Sequence, residues 1–396
     1  MFEKVEPAAP DAILGLNEAF QADSNPTKIN LSVGQFKDAE GKTPILGCVK
    51  QAEEELLKSE SSKGYLGIVG DTNYGKMVPG LLFGADNKLL SQNRVATVQS
   101  PGGTGALRIV ADFIATNFPG STVWLSEPTW PNHPNIFKAA GVPTKSYAYY
   151  DESDFSLNYD AMVSDLAKVP AGDFVMLHGC CHNPTGVDIA DDQWNAVGEI
   201  LKKGNVTPIV DFAYQGFGSG IEEDAIGVRT LAEHVDEMIV CSSFSKNFGL
   251  YCERIGAVTT VAADADASAA VISRLKKCIR ANYSNPPAHG AKIVAKVLGD
   301  EALTKQWHAE LAEMRNRILD LRKQIAATMK SLGSPVDFEF ITEQRGMFSF
   351  TGLTREQVQK LRDEHSLYIV GNGRINVAGL KDDQIEIACK AIIDVL

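Results

Sequence analysis

Two patterns of apolar spacing divide the chain. Over the first two thirds, short unbroken apolar runs alternate with longer amphipathic stretches. Residues Arg94–Gln99, Thr122–Leu125, Phe174–His178, Pro208–Phe212 and Met238–Cys241 are short, apolar and closed by polar or small residues, and each predicts a strand. After the first of them, the turn SPGGTG leads into ALRIVADFIATNF, which predicts a helix. Strands alternating with helices predict an α/β architecture, a mostly parallel sheet between helices. In such sheets ligands collect beyond the carboxyl ends of the strands, so the residues that follow each run are the candidates for chemistry.

From Leu303 the period changes. Leu303, Trp307, Leu311, Met314, Ile318, Leu321, Ile325, Met329 and Leu332 are three or four residues apart, and Gly333 and Pro335 follow. This predicts one long helix with a glycine cap and a proline stop, long enough to link two domains. Beyond it, DFEFITEQRGMFSFTGL and SLYIVGNGRINVAGL predict strands of a smaller α+β unit. The expected division is an N-terminal arm over 1–14 reaching a neighbouring subunit, a small domain over 15–47 and 312–396, and a large domain over 48–311.

Composition narrows the class. With 396 residues, 44% hydrophobic and 22% charged, the chain is neither disordered nor collagen-like nor a small disulfide scaffold. The net charge of −12 weighs against nucleic acid or an anionic membrane as a general partner, while a few arginines could still hold a small anion. Seven cysteines with no CxxC point to free thiols in a reducing compartment. No run approaches 18 apolar residues, and the start resembles neither a secretory nor a transit peptide. The expectation is a cytoplasmic protein with no membrane partner.

Lys246, in CSSFSKNFG, follows an apolar strand and a serine-rich turn. It reads either as a solvated loop lysine or as an amine whose pKa is tuned for covalent capture of a carbonyl. Arg254, eight residues on, together with Ser243 and Ser245, suits capture of a phosphate. Gly102, Gly103 and Gly105 open a helix, where backbone N–H groups and the helix dipole favour an anion. No GK[ST] follows, so this is not a Walker A loop. Asp211 ends a strand with Tyr214 three residues later. In FVMLHGCCHNPTG, His178, Cys180, Cys181 and His182 invite a zinc reading, weighed against buried thiols and hydrogen-bonded imidazoles, and Asn183 begins a turn at the rim. Trp130 offers either a core side chain or a flat face for stacking. A phosphate cradle, a reactive lysine, a carboxylate, a tyrosine and an asparagine at successive strand ends together fit pyridoxal phosphate, with the carboxylate keeping the pyridine nitrogen protonated.

The motifs ILGLNEAF, PGGTGALR, EPTWPNH, HGCCHNPTG, DFAYQGF, SSFSKNFGLYCERIGA, RANYSNPPAHGA, GMFSFTGL and GRINVAG, in this order along the whole chain, resemble the fold-type I pyridoxal-phosphate aminotransferases of subgroup Iα. The resemblance implies a large domain with a mostly parallel sheet, a smaller α+β domain, and a homodimer with shared active sites. It implies transfer of the amino group of aspartate to 2-oxoglutarate, with no metal. It gives Lys246 the cofactor linkage and the proton shuttle, Asp211 the pyridine nitrogen, and Asn183 and Tyr214 the ring oxygen. Gly103, Thr104, Ser243 and Arg254 fall to the phosphate, with Tyr65 arriving from the neighbouring subunit. Trp130 stacks on the ring and His133 supports Asp211. Arg374 matches the arginine that grips the substrate α-carboxylate, helped by Asn183 and the N–H of Gly34. Arg280 matches the one that crosses the dimer for the side-chain carboxylate.

The sequence departs from the family pattern at Gln35, Phe36 and Gly64, positions expected near the substrate entrance, and these bear on substrate breadth. An aromatic amino acid aminotransferase of the same mechanism is the competing reading; Lys37, Thr43, Thr104 and Asn285 are polar choices that suit a dicarboxylate. A metal-dependent hydrolase built on His178, Cys181 and His182 is a third reading. A scaffold that has lost activity is a fourth, opposed by the intact Lys246, Asp211 and Arg374.

Overall fold

A computed structural model describes residues 1–7 and 14–396. Contacts divide the chain into two compact units: Met1–Thr43 with Pro184–Gly186 and Arg317–Leu396, and Pro44–Asn183 with Val187–Asn316. Part of the N-terminal arm expected over 1–14 lies outside the described residues.

The second unit is built on a seven-stranded sheet. In chain order its strands are β1 (Val95–Pro101), β2 (Val123–Glu127), β3 (Thr144–Ala148), β4 (Phe174–His178), β5 (Thr207–Phe212), β6 (Met238–Ser243) and β7 (Ile255–Val261). Their order across the sheet is β1-β7-β6-β5-β4-β2-β3. Every neighbouring pair is parallel except those of β7, which runs antiparallel between β1 and β6. Strands β4, β6 and β7 are buried along their whole length, as expected of strands covered on both faces. The helix Gly102–Asn117 packs Leu107, Ile109, Val110, Phe113 and Ile114 into one cluster with Val98, Phe174, Met176, Ile209 and Val258 of the sheet. Two strands of this sheet were not foreseen. Thr144–Ala148 is a polar edge strand that gives little apolar signal, and Ile255–Val261 follows a turn that obscures its start.

The long helix is Glu301–Ser331. Asp300 caps it, its carboxylate accepting from the N–H of Ala302 and Leu303 at 3.0 and 3.1 Å. From Leu303 to Met329 every apolar position of the predicted stripe is buried, and Gly333 takes the positive φ of a helix end. The boundary between the units falls midway along it, between Asn316 and Arg317.

In the first unit, Ile29–Asn30 pairs in parallel with Leu367–Tyr368, and Phe348–Phe350 pairs antiparallel with Arg374–Asn376. The segment DFEFITE, expected as a strand, instead holds a short helix, Phe340–Glu343. Thr342 Oγ1 donates back to the Glu339 carbonyl at 2.8 Å and closes a helical turn, so its apolar alternation reports a turn with Ile341 inward.

Candidate active site

Within the second unit the predicted residues gather at the carboxyl ends of the parallel strands. Register sets His178 opposite Asp211, and Asp211 opposite Cys241. Asp211 accepts a hydrogen bond from His133 Nε2 at 3.0 Å, and its side chain is only 11% exposed. Burial pushes this carboxyl up, but the His133 hydrogen bond and nearby positive groups, Lys246 among them, outweigh it and hold the pKa below the usual carboxylate range. An ionised carboxylate is thus held in a site whose burial works against it.

His133 is itself supported. Thr129 Oγ1 lies 2.8 Å from its Nδ1 and 3.3 Å from His178 Nε2, which extends the chain of hydrogen bonds one residue deeper. Burial pushes His178 down to about 3, so its ring is neutral near pH 7. The Trp130 ring meets His133 edge-on at 5.3 Å. Sequence reasoning placed His133 and Trp130 but missed Thr129, which lies four residues before His133, just ahead of the helix Asn132–Ala139.

Lys246 is half-buried in the turn after β6, with its Nζ 4.7 Å from the centre of the buried Tyr214 ring. The turn is pinned from beneath. Trp307 Nε1 donates to the Asn247 carbonyl at 2.7 Å and its ring stacks on Phe248 at 4.4 Å, while Asn247 donates to the Gln215 carbonyl at 3.2 Å. Tyr214 sits at the head of a loop stapled by Asp224, which accepts from the N–H of Gly216, Gly218, Ser219 and Gly220. Asn183 is buried at 6% exposure.

The third group surrounds the first turn of Gly102–Asn117. Register places Ser243 opposite Gly256, Gly256 opposite Ser100, and Ile255 opposite Pro101. Arg254, Ser243 and Gly102 are thereby brought together. Gly102 has φ +77°, and a Cβ on it would fall 2.5 Å from Arg254 Nη2; a Cβ on Gly103 would meet that of Ser243 at 3.2 Å. Arg254 itself has φ +57°, a conformation a non-glycine residue adopts at a cost of about 1–3 kcal/mol. Its Nη1 donates to the Tyr251 carbonyl at 3.0 Å and to Ser245 Oγ at 3.4 Å. A guanidinium, two hydroxyls and free N–H groups at a helix start form a donor set for a small anion. Thr104 lies exposed on the same first turn.

Arg374 is in the first unit, 2% exposed. Its Nη2 donates to the Ser32 carbonyl at 2.6 Å, and its guanidinium lies 4.3 Å from the centre of the Phe348 ring. The same ring fills the space beside Gly34, where a Cβ would meet Phe348 Cζ at 2.7 Å. Asn376 donates to the Val33 and Gln35 carbonyls at 2.7 and 2.8 Å, fixing the chain on both sides of Gly34. Phe348 and Asn376 were not singled out from the sequence.

Three more of the predicted residues lie at the surface. Tyr65 is 97% exposed, Gly64 is exposed, and Arg280 is exposed with its guanidinium donating to Ser284. Phe36, expected near a substrate entrance, is a core residue at 3% exposure. The residues of the hydrolase reading do not come together as metal ligands. His182 lies 3.0 Å from Ser126 Oγ and stacks on Tyr149. Among the described residues, Cys180 and Cys181 cluster instead with Asp224, whose carboxylate is taken up by the loop. All seven cysteines are free. Among the described residues no helix is long and apolar enough to cross a membrane.

Residues 26–392 match the family model of class I and II aminotransferases. The chain belongs to this family. Pyridoxal phosphate is the family's cofactor, and the residues present fit it. The cradle kept open by Gly102 beside Arg254 suits the phosphate, the buried ionised Asp211 suits a protonated pyridine, and Lys246 supplies the amine. Within this aminotransferase family, an aspartate aminotransferase of Escherichia coli strain K12 is 50% identical over the whole of both chains. An aromatic-amino-acid aminotransferase of the same organism is 44% identical, again over both chains. The crystal structure of an aromatic-amino-acid aminotransferase from Burkholderia pseudomallei, covalently bound to pyridoxal phosphate, matches with a TM-score of 0.97 at 46% identity, covering 100% of this chain and 99% of its own.

Proposed function

We propose that this aminotransferase moves the amino group of L-aspartate to 2-oxoglutarate by a ping-pong mechanism, giving oxaloacetate and L-glutamate, as a cytoplasmic homodimer. The observation that carries the reading is the placement of Lys246, ionised Asp211 and the Gly102–Arg254 cradle at neighbouring strand ends. Aspartate aminotransferases 47–50% identical along the whole chain support the donor.

Bound pyridoxal phosphate supplies an aldehyde that captures amines and a conjugated ring that takes up the electron pair left when the substrate α-carbon loses its proton. Arg254, Ser243, Gly103 and Thr104 hold the phosphate end. Asp211, kept charged by His133, holds the ring nitrogen protonated. Tyr214 and Asn183 hydrogen-bond the ring oxygen, and Trp130 covers a ring face. Lys246 anchors the cofactor at rest. Its amine would also act as the base that moves the substrate α-proton. Arg374 and the Gly34 N–H, both of the first unit, receive the α-carboxylate, and Arg280 and Tyr65 of each chain serve the neighbouring copy's site. The 97% exposure of Tyr65 leaves it within reach of a second copy.

The test is a donor panel with Arg280→Asp. A paired guanidinium–carboxylate contact replaced by repulsion lowers kcat/KM for aspartate by about 10³-fold or more, with a much smaller loss for alanine or aromatic donors. Mixed dimers of Arg280→Asp and Arg374→Ala chains recover part of the activity, because one site per dimer is intact. An equal loss for all donors, or no recovery, refutes the assignment. The aromatic reading rests on relatives such as the 44% identical enzyme, and a wild-type kcat/KM for phenylalanine above that for aspartate would establish it.

A further inference from the structure

Among the described residues, Arg322 is the charged side chain of the helix Glu301–Ser331 that is fully buried, at 0% exposure. It stands four residues after Ile318 and three before Ile325, on the apolar stripe itself. Its guanidinium is spent on one short stretch of the first unit. Nη1 donates to the Ile341 carbonyl at 2.9 Å and to Ser349 Oγ at 2.5 Å; Nη2 donates to the Gly346 and Phe348 carbonyls at 2.8 and 2.7 Å. A planar fork of donors can engage four acceptors at once, which a point-charge ammonium cannot do.

The stretch fastened in this way bears directly on Arg374. Phe350 pairs with Arg374 across the two-stranded ladder. Phe348, whose carbonyl Arg322 holds, carries the Arg374 guanidinium on its ring and fills the space beside Gly34. We propose that Arg322 is a positioning residue for substrate-carboxylate recognition: it fixes the backbone at Phe348, and the Phe348 ring in turn fixes the Arg374 guanidinium. The inference rests on the reading of Arg374 as the carboxylate-binding arginine, and it assigns specificity for a carboxylate to a side chain that never meets one.

The holoenzyme variants Arg322→Lys, Phe348→Leu, their double variant and Arg374→Ala test it, with succinate binding measured by calorimetry beside steady-state kinetics. Arg322→Lys is expected to weaken succinate binding and raise KM for all amino-acid donors about tenfold, with kcat held within about threefold, the pattern of lost uniform binding. Phe348→Leu gives a shift of similar size, and the double variant is no worse than either single one, since both break the same link. If Arg322 is merely structural, Arg322→Lys lowers Tm and the active fraction but leaves KM and succinate affinity unchanged, and the inference is overturned. If Arg322→Lys does not fold, Phe348→Leu decides alone: unchanged succinate affinity overturns the proposal. Arg374→Ala separates the two levels. Retained succinate affinity there removes the carboxylate reading itself, whereas its loss alongside an unaffected Arg322→Lys removes only the role given to Arg322.

Discussion

Gly102→Ala separates two energies that the cradle combines. The residue has φ +77°, and the new Cβ would stand 2.5 Å from Arg254 Nη2 and 2.9 Å from its Cζ. The first cost is backbone strain, about 1–2 kcal/mol for an alanine in the left-handed region, and it falls on the apoprotein and holoenzyme alike. The second arises because the Arg254 guanidinium is the far end of a flexible side chain: the new Cβ would displace it and remove the hydrogen bond proposed between it and the phosphate. A charged hydrogen bond of this kind is worth about 1.5–3 kcal/mol, which at 1.4 kcal/mol per decade is a loss of about 10- to 150-fold in cofactor affinity. The assay is equilibrium loading of the apoenzyme with pyridoxal phosphate, followed by the visible absorbance, beside a thermal melt of the apoenzyme. The melt reports the strain and the loading reports Arg254. The decisive control is Gly102→Ala in an Arg254→Ala background, where the affinity loss should vanish while the strain remains. An undiminished loss there would refute the reasoning, because the glycine would then serve the phosphate without Arg254.

Lys246→Ala should retain cofactor through the cradle and Asp211 yet lower turnover with aspartate by at least about 10²–10⁴-fold, the usual worth of one acid–base group; near-normal turnover of the purified variant would remove Lys246 from the chemistry. His178 gives a pH prediction. Its folded pKa is about 3 against an ordinary 6.5, so below pH 6.5 the unfolded chain binds a proton that the folded one refuses, and stability falls with pH at up to about 1.4 kcal/mol per unit. His178→Gln should therefore lose about 2 kcal/mol less than the parent between pH 7 and pH 5, read from urea midpoints; equal losses would show that the burial of His178 does not govern this decline.

Five of the seven strands of the large sheet were legible because a parallel sheet leaves the sequence little freedom. An apolar run such as Phe174–His178 reads as a buried strand, and Asp211 and Lys246 follow such runs because that is where a loop can reach a ligand. The stripe from Leu303 to Met329 was equally plain. What was hidden depended on contacts distant in sequence. Thr144–Ala148, an edge strand with two exposed positions, has too little burial to leave a pattern. Pro184–Gly186, a turn in the middle of the second unit's sequence, clusters with the first unit, which no local signal conveys. Arg322 is the reverse case. A charge at a stripe position was visible in the sequence, but its meaning depended on carbonyls 19 to 26 residues away.

The Thr129 hydroxyl has a single proton and stands between two ring nitrogens, so the chain of bonds behind Asp211 has a direction. The carboxylate can only accept, so His133 Nε2 must carry a hydrogen toward it. With one hydrogen on that ring, Nδ1 accepts from Thr129, and Thr129 in turn must accept from His178 Nε2–H. A single hydroxyl thereby dictates the tautomer of an imidazole three hydrogen bonds from the carboxylate. Asp211 is held by a one-way relay in which the hydrogen on one ring fixes the hydrogen on the other, and nitrogen-15 spectra of the two imidazoles would show both at Nε2.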